Sequence, residues 1–104
     1  MGQDKPFTEG EAGTEDKIAV QEPPSYRVLL HNDDYTTMDF VVFVLTAVFK
    51  KSQEDATTIM WSVHLKGCGE CGIYPREIAE TKVGQVHYLA TREGFPLRCS
   101  MEPA

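Results

Sequence analysis

The chain has 104 residues, of which 16 are acidic and 10 basic, giving a formal net charge of -6, and 41% of its side chains are apolar. This length allows one small domain, and a net acidic chain has no general attraction for phosphate, which argues against a nucleic-acid partner. The longest apolar run, Phe40 to Leu45, is far shorter than the roughly 18 residues that indicate a membrane span.

Residues 1–24 differ in composition from the rest of the chain. They contain six acids, two lysines and only six apolar residues. The apolar surface of this segment is too small to offset the entropy lost on ordering its backbone. We therefore expect an acidic extension that is disordered in isolation. It would act either as a solubilising leader or as a tethered segment that another protein grips. It lacks the pattern of a secretory signal, and three cysteines are too few for a disulfide framework, so we expect a cytoplasmic protein.

The folded part, residues 25–104, begins with a predicted strand and helix. A short apolar run before an Asn-Asp-Asp turn predicts a strand over Tyr26–His31. Four valines would favour a strand over Phe40–Phe49 as well. The apolar positions nevertheless follow helical spacing, and Thr36-x-x-Asp39 resembles a helix start signal, so we predict a helix.

The second half predicts a helix, a strand, a helix and a strand. Start and stop signals delimit the helices, and alternation of apolar and polar residues marks the last strand. These elements are a helix from Ser52 to Gly67, a strand Cys71–Tyr74, a helix from Pro75 to Gly94, and a strand in which Leu97, Cys99 and Met101 face the core. The order β-α-α-β-α-β predicts an α+β fold, with three helices on one face of a small antiparallel three-stranded sheet.

The turn between the first strand and the first helix is the first candidate for a site. Packing requires none of the side chains of Asn32, Asp33, Asp34 and Thr36. Such residues are common in a plain Asx turn. Two carboxylates and an amide oxygen can equally accept several hydrogen bonds from one cation or amine. Both interpretations remain open from these residues alone.

His64 is the second candidate, because it follows Met60 and Val63 on one face of the second predicted helix. A histidine there is often a satisfied structural side chain, and methionines often only fill a core. Alternatively, Met38 and Met60 would supply an adaptable apolar surface beside a histidine that can donate or accept a hydrogen bond.

The third candidate is Cys68-x-x-Cys71, which with His64 forms a His-x3-Cys-x2-Cys pattern. Cys99 could complete a zinc site, although its alternating strand suggests a small buried thiol. A redox pair would be expected at a helix N-terminus, whereas this pair follows a helix. A small zinc-binding or redox module is therefore the competing hypothesis, and no catalytic constellation supports an enzyme.

Residues 26–101 resemble the ClpS family, adaptors that deliver N-end-rule substrates to the AAA+ unfoldase ClpA and its peptidase ClpP. The resemblance rests on four stretches of the sequence: YRVLLHNDDYTTMDFVVFVL, IMWSVHLKG, EIAETKV and FPLRCSME. It implies an adaptor without catalytic activity that binds a free α-amino group and a bulky apolar first residue, namely Leu, Phe, Tyr or Trp. It also implies a monomer that needs no cofactor or metal.

The resemblance assigns roles to individual positions. It implies that the residues around the α-amino group and first peptide unit are Asn32, Asp33, Asp34, Thr36 and His64. It implies a side-chain pocket formed by Met38, Val41, Met60, Val63 and Leu97, with Met38 acting as a gate against β-branched residues.

A separate surface is implied for docking to the unfoldase. Its residues are Glu77 and Lys82 on the third predicted helix, which could otherwise be a plain solvated helix face, and Tyr35 near the exit of the acidic extension. Many family members have proline where this chain has Thr37, a difference that could alter the rigidity of the loop.

Overall fold

A central strand organises the fold of this protein, for which a computed structural model describes residues 23–104. Most of the acidic extension predicted over residues 1–24 therefore lies outside the described residues. The elements are β1 (Ser25–His31), α1 (Met38–Ala47), α2 (Gln53–Lys66), β2 (Cys68–Pro75), α3 (Arg76–Glu93) and β3 (Arg98–Pro103). This order confirms the predicted α+β architecture.

The sheet has the order β2-β1-β3, and β1 is antiparallel to both neighbours. At the end of β1, His31 pairs with Cys68 of β2 and with Arg98 of β3. The pairing with β2 shifts between Val28 and Leu29, which leaves Cys71 as the extra residue of a β-bulge. Because of this longer ladder, β2 begins at Cys68 rather than at Cys71, where the sequence predicted it.

The start of α1 differs from the prediction by one residue. The N-cap is Thr37, whose hydroxyl accepts a hydrogen bond of 3.1 Å from the Phe40 amide. The predicted start signal at Thr36 is therefore wrong, because the Thr36 hydroxyl donates to Asp33 instead. The other predicted start, Ser52, is confirmed as the N-cap of α2.

The core lies between one face of the sheet and the helices. Val28 and Leu30 of β1 are fully buried, as are Val44 and Leu45 of α1. On the opposite face of β1, Arg27 forms ion pairs across both neighbouring strands, so this face meets solvent. The helices therefore cover one face, as predicted. No helix within residues 23–104 is long and apolar enough to cross a membrane.

Candidate functional site

A cavity of about 240 Å³ lies between the loop after β1 and the helices α1 and α2. Its lining consists of Asn32, Asp33, Asp34, Thr36, Met38, Val41, Met60, Val63 and His64. The structure thus brings together all five residues expected around an α-amino group and four of the five expected to form a side-chain pocket. Residues distant in sequence share one concave surface that is polar on one side and apolar on the other.

Backbone contacts place the polar loop beside the end of α2. The Asn32 amide donates a hydrogen bond of 2.9 Å to the carbonyl of Gly67. Gly67 ends α2 in the left-handed conformation, with a φ of 91°, which glycine adopts without steric cost. The chain can therefore turn directly from α2 into β2, and this turn holds His64 close to the loop.

Asp33 organises the loop from within. Its Oδ1 accepts hydrogen bonds from the Tyr35 amide at 2.8 Å and the Thr36 amide at 2.7 Å. Its Oδ2 accepts another from the Thr36 hydroxyl at 2.7 Å. Partial burial opposes ionisation, but these hydrogen bonds outweigh it and lower the pKa of the Asp33 carboxyl. A carboxylate offers about four acceptor positions, so one remains for a further donor.

Asp34 and Asn32 supply the outward-facing acceptors of the loop. Both residues are exposed at the rim of the cavity. Among residues 23–104, no lysine or arginine forms an ion pair with the Asp34 carboxylate, so none of them competes with a positive ligand for its charge. The Asp-Asp sequence therefore combines one carboxylate that shapes the loop with one that faces solvent.

The apolar side of the cavity is built from the helices. Val41 of α1 and Met60 and Val63 of α2 are buried, and Met38 lies at the entrance, 39% exposed. The volume of this cavity, about 240 Å³, is smaller than that of cavities that hold drug-sized molecules, which is about 300–1,000 Å³. A cavity of this size suits one bulky side chain rather than a cofactor.

Leu97 is the one predicted pocket residue that does not line the cavity. It precedes β3 and lies in the core, where it is 4% exposed. Trp61, in contrast, was not singled out from the sequence, yet its ring contacts that of His64 edge to face at 5.9 Å between centroids. Its position three residues before His64 on α2 is the signal that could have identified it.

The residues predicted for docking do not form one surface. Glu77 is exposed at the start of α3 and lines a second cavity with Pro23 and Pro24, where the chain enters the domain. Tyr35 is 78% exposed but follows the other end of β1, about 20 Å away along a seven-residue strand. The expectation that Tyr35 lies near the exit of the extension is therefore wrong.

Lys82 is engaged within the domain. Its ammonium group donates a hydrogen bond of 2.8 Å to the carbonyl of Val48, the C-cap of α1, and lies 5.7 Å from the ring centre of Tyr74. A cation at this position interacts favourably with the negative end of the helix dipole. Lys82 therefore stabilises the contact between α1 and α3, whatever else it binds.

The cysteines do not assemble the competing zinc or redox site. Cys68 is exposed and Cys71 is buried, because residues three apart in a strand project from opposite faces. Burial, together with the nearby Cys99, raises the pKa of Cys71, and burial raises the pKa of Cys99 to about 12. Within residues 23–104, no three His, Cys, Asp or Glu side chains are grouped so that they could hold a metal ion.

Comparison with known proteins extends these observations. Residues 21–100 match the family model described as "ATP-dependent Clp protease adaptor protein ClpS". The chain is 65% identical over 83 residues to the ClpS adapter of Oleidesulfovibrio alaskensis, which covers 80% of each chain. It is 52% identical over 102 residues to that of Desulfotalea psychrophila, which covers 98% of each.

A solved structure shows the same fold. Agrobacterium tumefaciens ClpS2 bound to L-phenylalaninamide superposes with a TM-score of 0.78 at 40% identity, and the match covers 80% of this chain and all of that one. Since the family model spans residues 21–100 and relatives more than half identical align over most of their length, this chain belongs to the ClpS family of ATP-dependent Clp protease adaptor proteins.

Proposed function

We propose that this adaptor binds the first residue of substrate proteins in the cavity between the loop after β1 and the helices α1 and α2. The ligand would carry a free α-amino group and a bulky apolar side chain, namely Leu, Phe, Tyr or Trp. The observation that carries this proposal is the division of one small cavity into a rim with Asp33 and Asp34 and a floor with Val41, Met60 and Val63.

The polar rim suits an α-ammonium group, which has a positive charge and three donors. The remaining acceptor position of Asp33 and the exposed carboxylate of Asp34 can each accept one donor, and the Asn32 amide oxygen can accept another. A charge pair at about 4 Å contributes roughly 4 kcal/mol of gross attraction at an effective dielectric constant near 20. Acetylation removes this charge, so a blocked or internal residue should bind poorly.

The apolar floor favours a large side chain. An aromatic side chain buries about 150–250 Å², which at about 25 cal/mol per Å² corresponds to roughly 4–6 kcal/mol before the cost of ordering the peptide. L-phenylalaninamide, the ligand of the related ClpS2, has the same two features: a free α-amino group and a bulky apolar side chain. This chemical match supports the assignment to the cavity.

Peptides that differ only at the first residue test the binding step. A peptide with free Leu or Phe should bind at low-micromolar affinity or better, measured by fluorescence anisotropy, and its N-acetylated form should bind far more weakly. Asp34→Asn should weaken binding. Asp55→Asn is the control and should not, because Asp55 is an exposed aspartate in the first turn of α2 and does not line the cavity. Equal binding of the free and acetylated peptides would rule out the amine site.

We further propose that the bound substrate is delivered to a ClpA-type AAA+ unfoldase paired with ClpP, in the cytoplasm, by a monomer of this protein. Glu77 and Lys82 on α3 would contribute to docking, at a distance from the loop that holds the substrate. Tyr35 is part of that loop, so any role in docking would require the unfoldase to approach the substrate end as well.

Degradation of a Leu-first reporter by purified ClpA and ClpP tests delivery. Addition of this protein should accelerate degradation, and Glu77→Lys should reduce that acceleration while peptide binding is unchanged. Glu93→Lys, at the other end of α3, is the matched control. Loss of acceleration in both variants would exclude a specific role for Glu77.

A further inference from the structure

A groove with a volume of about 550 Å³ lies beside the cavity, along the outer side of α1 and α2. Its walls include two large aromatic side chains, Phe43 and Trp61, which are 46% and 45% exposed. Exposed aromatic residues that line one concave surface are typical of interaction sites. The groove and the cavity share Met38 and Met60, so they form one continuous surface.

A ring contact connects the two parts of this surface. His64 lines the cavity and Trp61 lines the groove, and their rings meet edge to face at 5.9 Å between centroids. Trp61 therefore lies where the cavity and the groove adjoin.

The length of the groove fits a short peptide. Its α1 wall runs from Met38 to Thr46, about 12 Å at 1.5 Å per residue. Extended chain advances about 3.3 Å per residue, so roughly three substrate residues fit along this wall. A substrate protein continues beyond its first residue, so its second and third residues need a path away from the cavity.

We infer that this groove binds an apolar side chain at the second or third position of the substrate. The inference rests on the proposed function, because the first residue must be held in the cavity for the next residues to reach the groove. Phe43 and Trp61 would contact the bound side chain, while Met38 would lie between it and the first residue.

The other side of Trp61 offers an alternative path. There, a cavity of about 280 Å³ includes Leu65, which is 74% exposed. This cavity shares no lining residue with the cavity for the first residue, so continuity favours the groove along α1. Leu65 is thus a matched control for Phe43, since both are exposed apolar residues outside the cavity lining.

The test compares peptides that begin with free Leu and continue with alanines, or with Phe at the second or third position. In fluorescence anisotropy, at least one Phe-containing peptide should bind about fivefold tighter or more than the alanine peptide, which corresponds to burial of about 40 Å² of apolar surface. Phe43→Ala should reduce this advantage below about twofold, and leave binding of the alanine peptide unchanged. Leu65→Ala should preserve the advantage.

Phe43 also contacts Phe40, at 6.0 Å between ring centres, so Phe43→Ala removes a packing contact as well as a wall of the groove. A second variant that leaves this ring contact in place separates the two effects. Thr57→Arg places a long charged side chain in the groove from α2, and should abolish the advantage as well. The inference would be overturned if the wild type bound the Phe-containing peptides no more tightly than the alanine peptide. It would also be overturned if the tighter binding persisted in Phe43→Ala and Thr57→Arg, or if it disappeared in Leu65→Ala. If the alanine peptide binds no better than its acetylated form, the proposed function fails, and the inference fails with it.

Discussion

Both carboxylate oxygens of Asp33 bind Thr36: Oδ1 accepts from its amide at 2.7 Å and Oδ2 from its hydroxyl, also at 2.7 Å. This pair closes the loop on itself before any ligand arrives. The loop is therefore preorganised, and a ligand need not supply the free energy of ordering it. Neighbouring Asp34 has no such role, although both residues line the same cavity.

The two aspartates should consequently differ when mutated. Asp33→Ala removes three hydrogen bonds and should lower the free energy of unfolding by about 1–3 kcal/mol, as well as weaken peptide binding. Asp34→Ala should weaken binding by about 1.5 kcal/mol or more and leave stability within about 0.5 kcal/mol of the wild type. Urea unfolding and anisotropy on the same samples measure both effects. Equal loss of stability in the two variants would contradict this division.

Acidic pH should selectively weaken the contribution of Asp33. Its pKa is lowered from the ordinary 3.8 in the folded protein, so the unfolded chain binds the proton more readily. The stabilisation is complete above about pH 4 and is lost as the pH falls through the lowered value. The difference in unfolding free energy between the wild type and Asp33→Asn should shrink when urea unfolding is repeated from about pH 5 down to about pH 2.5. A difference that grows on acidification would have the wrong sign.

Gly69 should tolerate no side chain, because β2 passes close to α2 there. A Cβ atom at Gly69 would lie 2.8 Å from Cγ2 of Val63 and 3.2 Å from the backbone oxygen of Ile59. Gly69→Ala should therefore destabilise the domain by about 1–3 kcal/mol and weaken peptide binding, since Val63 also lines the cavity. Thermal unfolding and anisotropy provide the measurements.

Gly84, in the interior of α3, is the matched control for Gly69. A Cβ atom there has no neighbour within 4 Å, and alanine is favoured over glycine in a helix by about 0.5–1 kcal/mol. Gly84→Ala should therefore raise stability slightly and leave peptide binding unchanged. If Gly69→Ala is as stable as the wild type, the close approach of β2 to α2 is not a constraint.

Lys82 should contribute to stability in addition to any docking. Lys82→Met removes the hydrogen bond to the Val48 carbonyl at the end of α1. It should lower the free energy of unfolding, measured with urea, by about 1 kcal/mol. Lys50→Met is the control: Lys50 is exposed and lines, together with Lys82, a surface cavity between the end of α1 and α3. This substitution should lower the free energy of unfolding by less than about 0.5 kcal/mol. An equal cost in both variants would indicate that the Val48 contact is not stabilising.

The sequence predicted the element types because their signals are local. Helical spacing identified α1 despite its valines, and Ser52 capped α2 as expected. The start of α1 was misplaced because Thr36 and Thr37 are both good caps, and only the folded loop assigns Thr36 to Asp33. The local pattern favoured Thr36, because an acidic residue follows three positions later at Asp39, and the contact that overrides this signal is visible only in the folded loop.

The cavity was predictable mainly through family resemblance, since its two halves come from separate segments. Spacing alone could suggest that Met60, Val63 and His64 share a helical face, but it could not bring that face to Asn32, which depends on the hydrogen bond to Gly67. The same reason explains why Leu97 was wrongly predicted to line the cavity and Tyr35 to lie near the exit of the extension. Their surroundings depend on which end and which face of the sheet they occupy, and both follow from tertiary pairing.

The central position of β1 has a mechanical consequence. Its first residue, Ser25, continues from the N-terminal extension, and its far end leads directly into Asn32 of the cavity. A pull on the extension that is resisted by a substrate in the cavity would run parallel to β1. The hydrogen bonds to β2 and β3 lie across that direction, so both ladders would be loaded in shear at once rather than opened one bond at a time. The strand β1, which connects the N-terminal extension to the cavity, is thus also placed to carry tension between them.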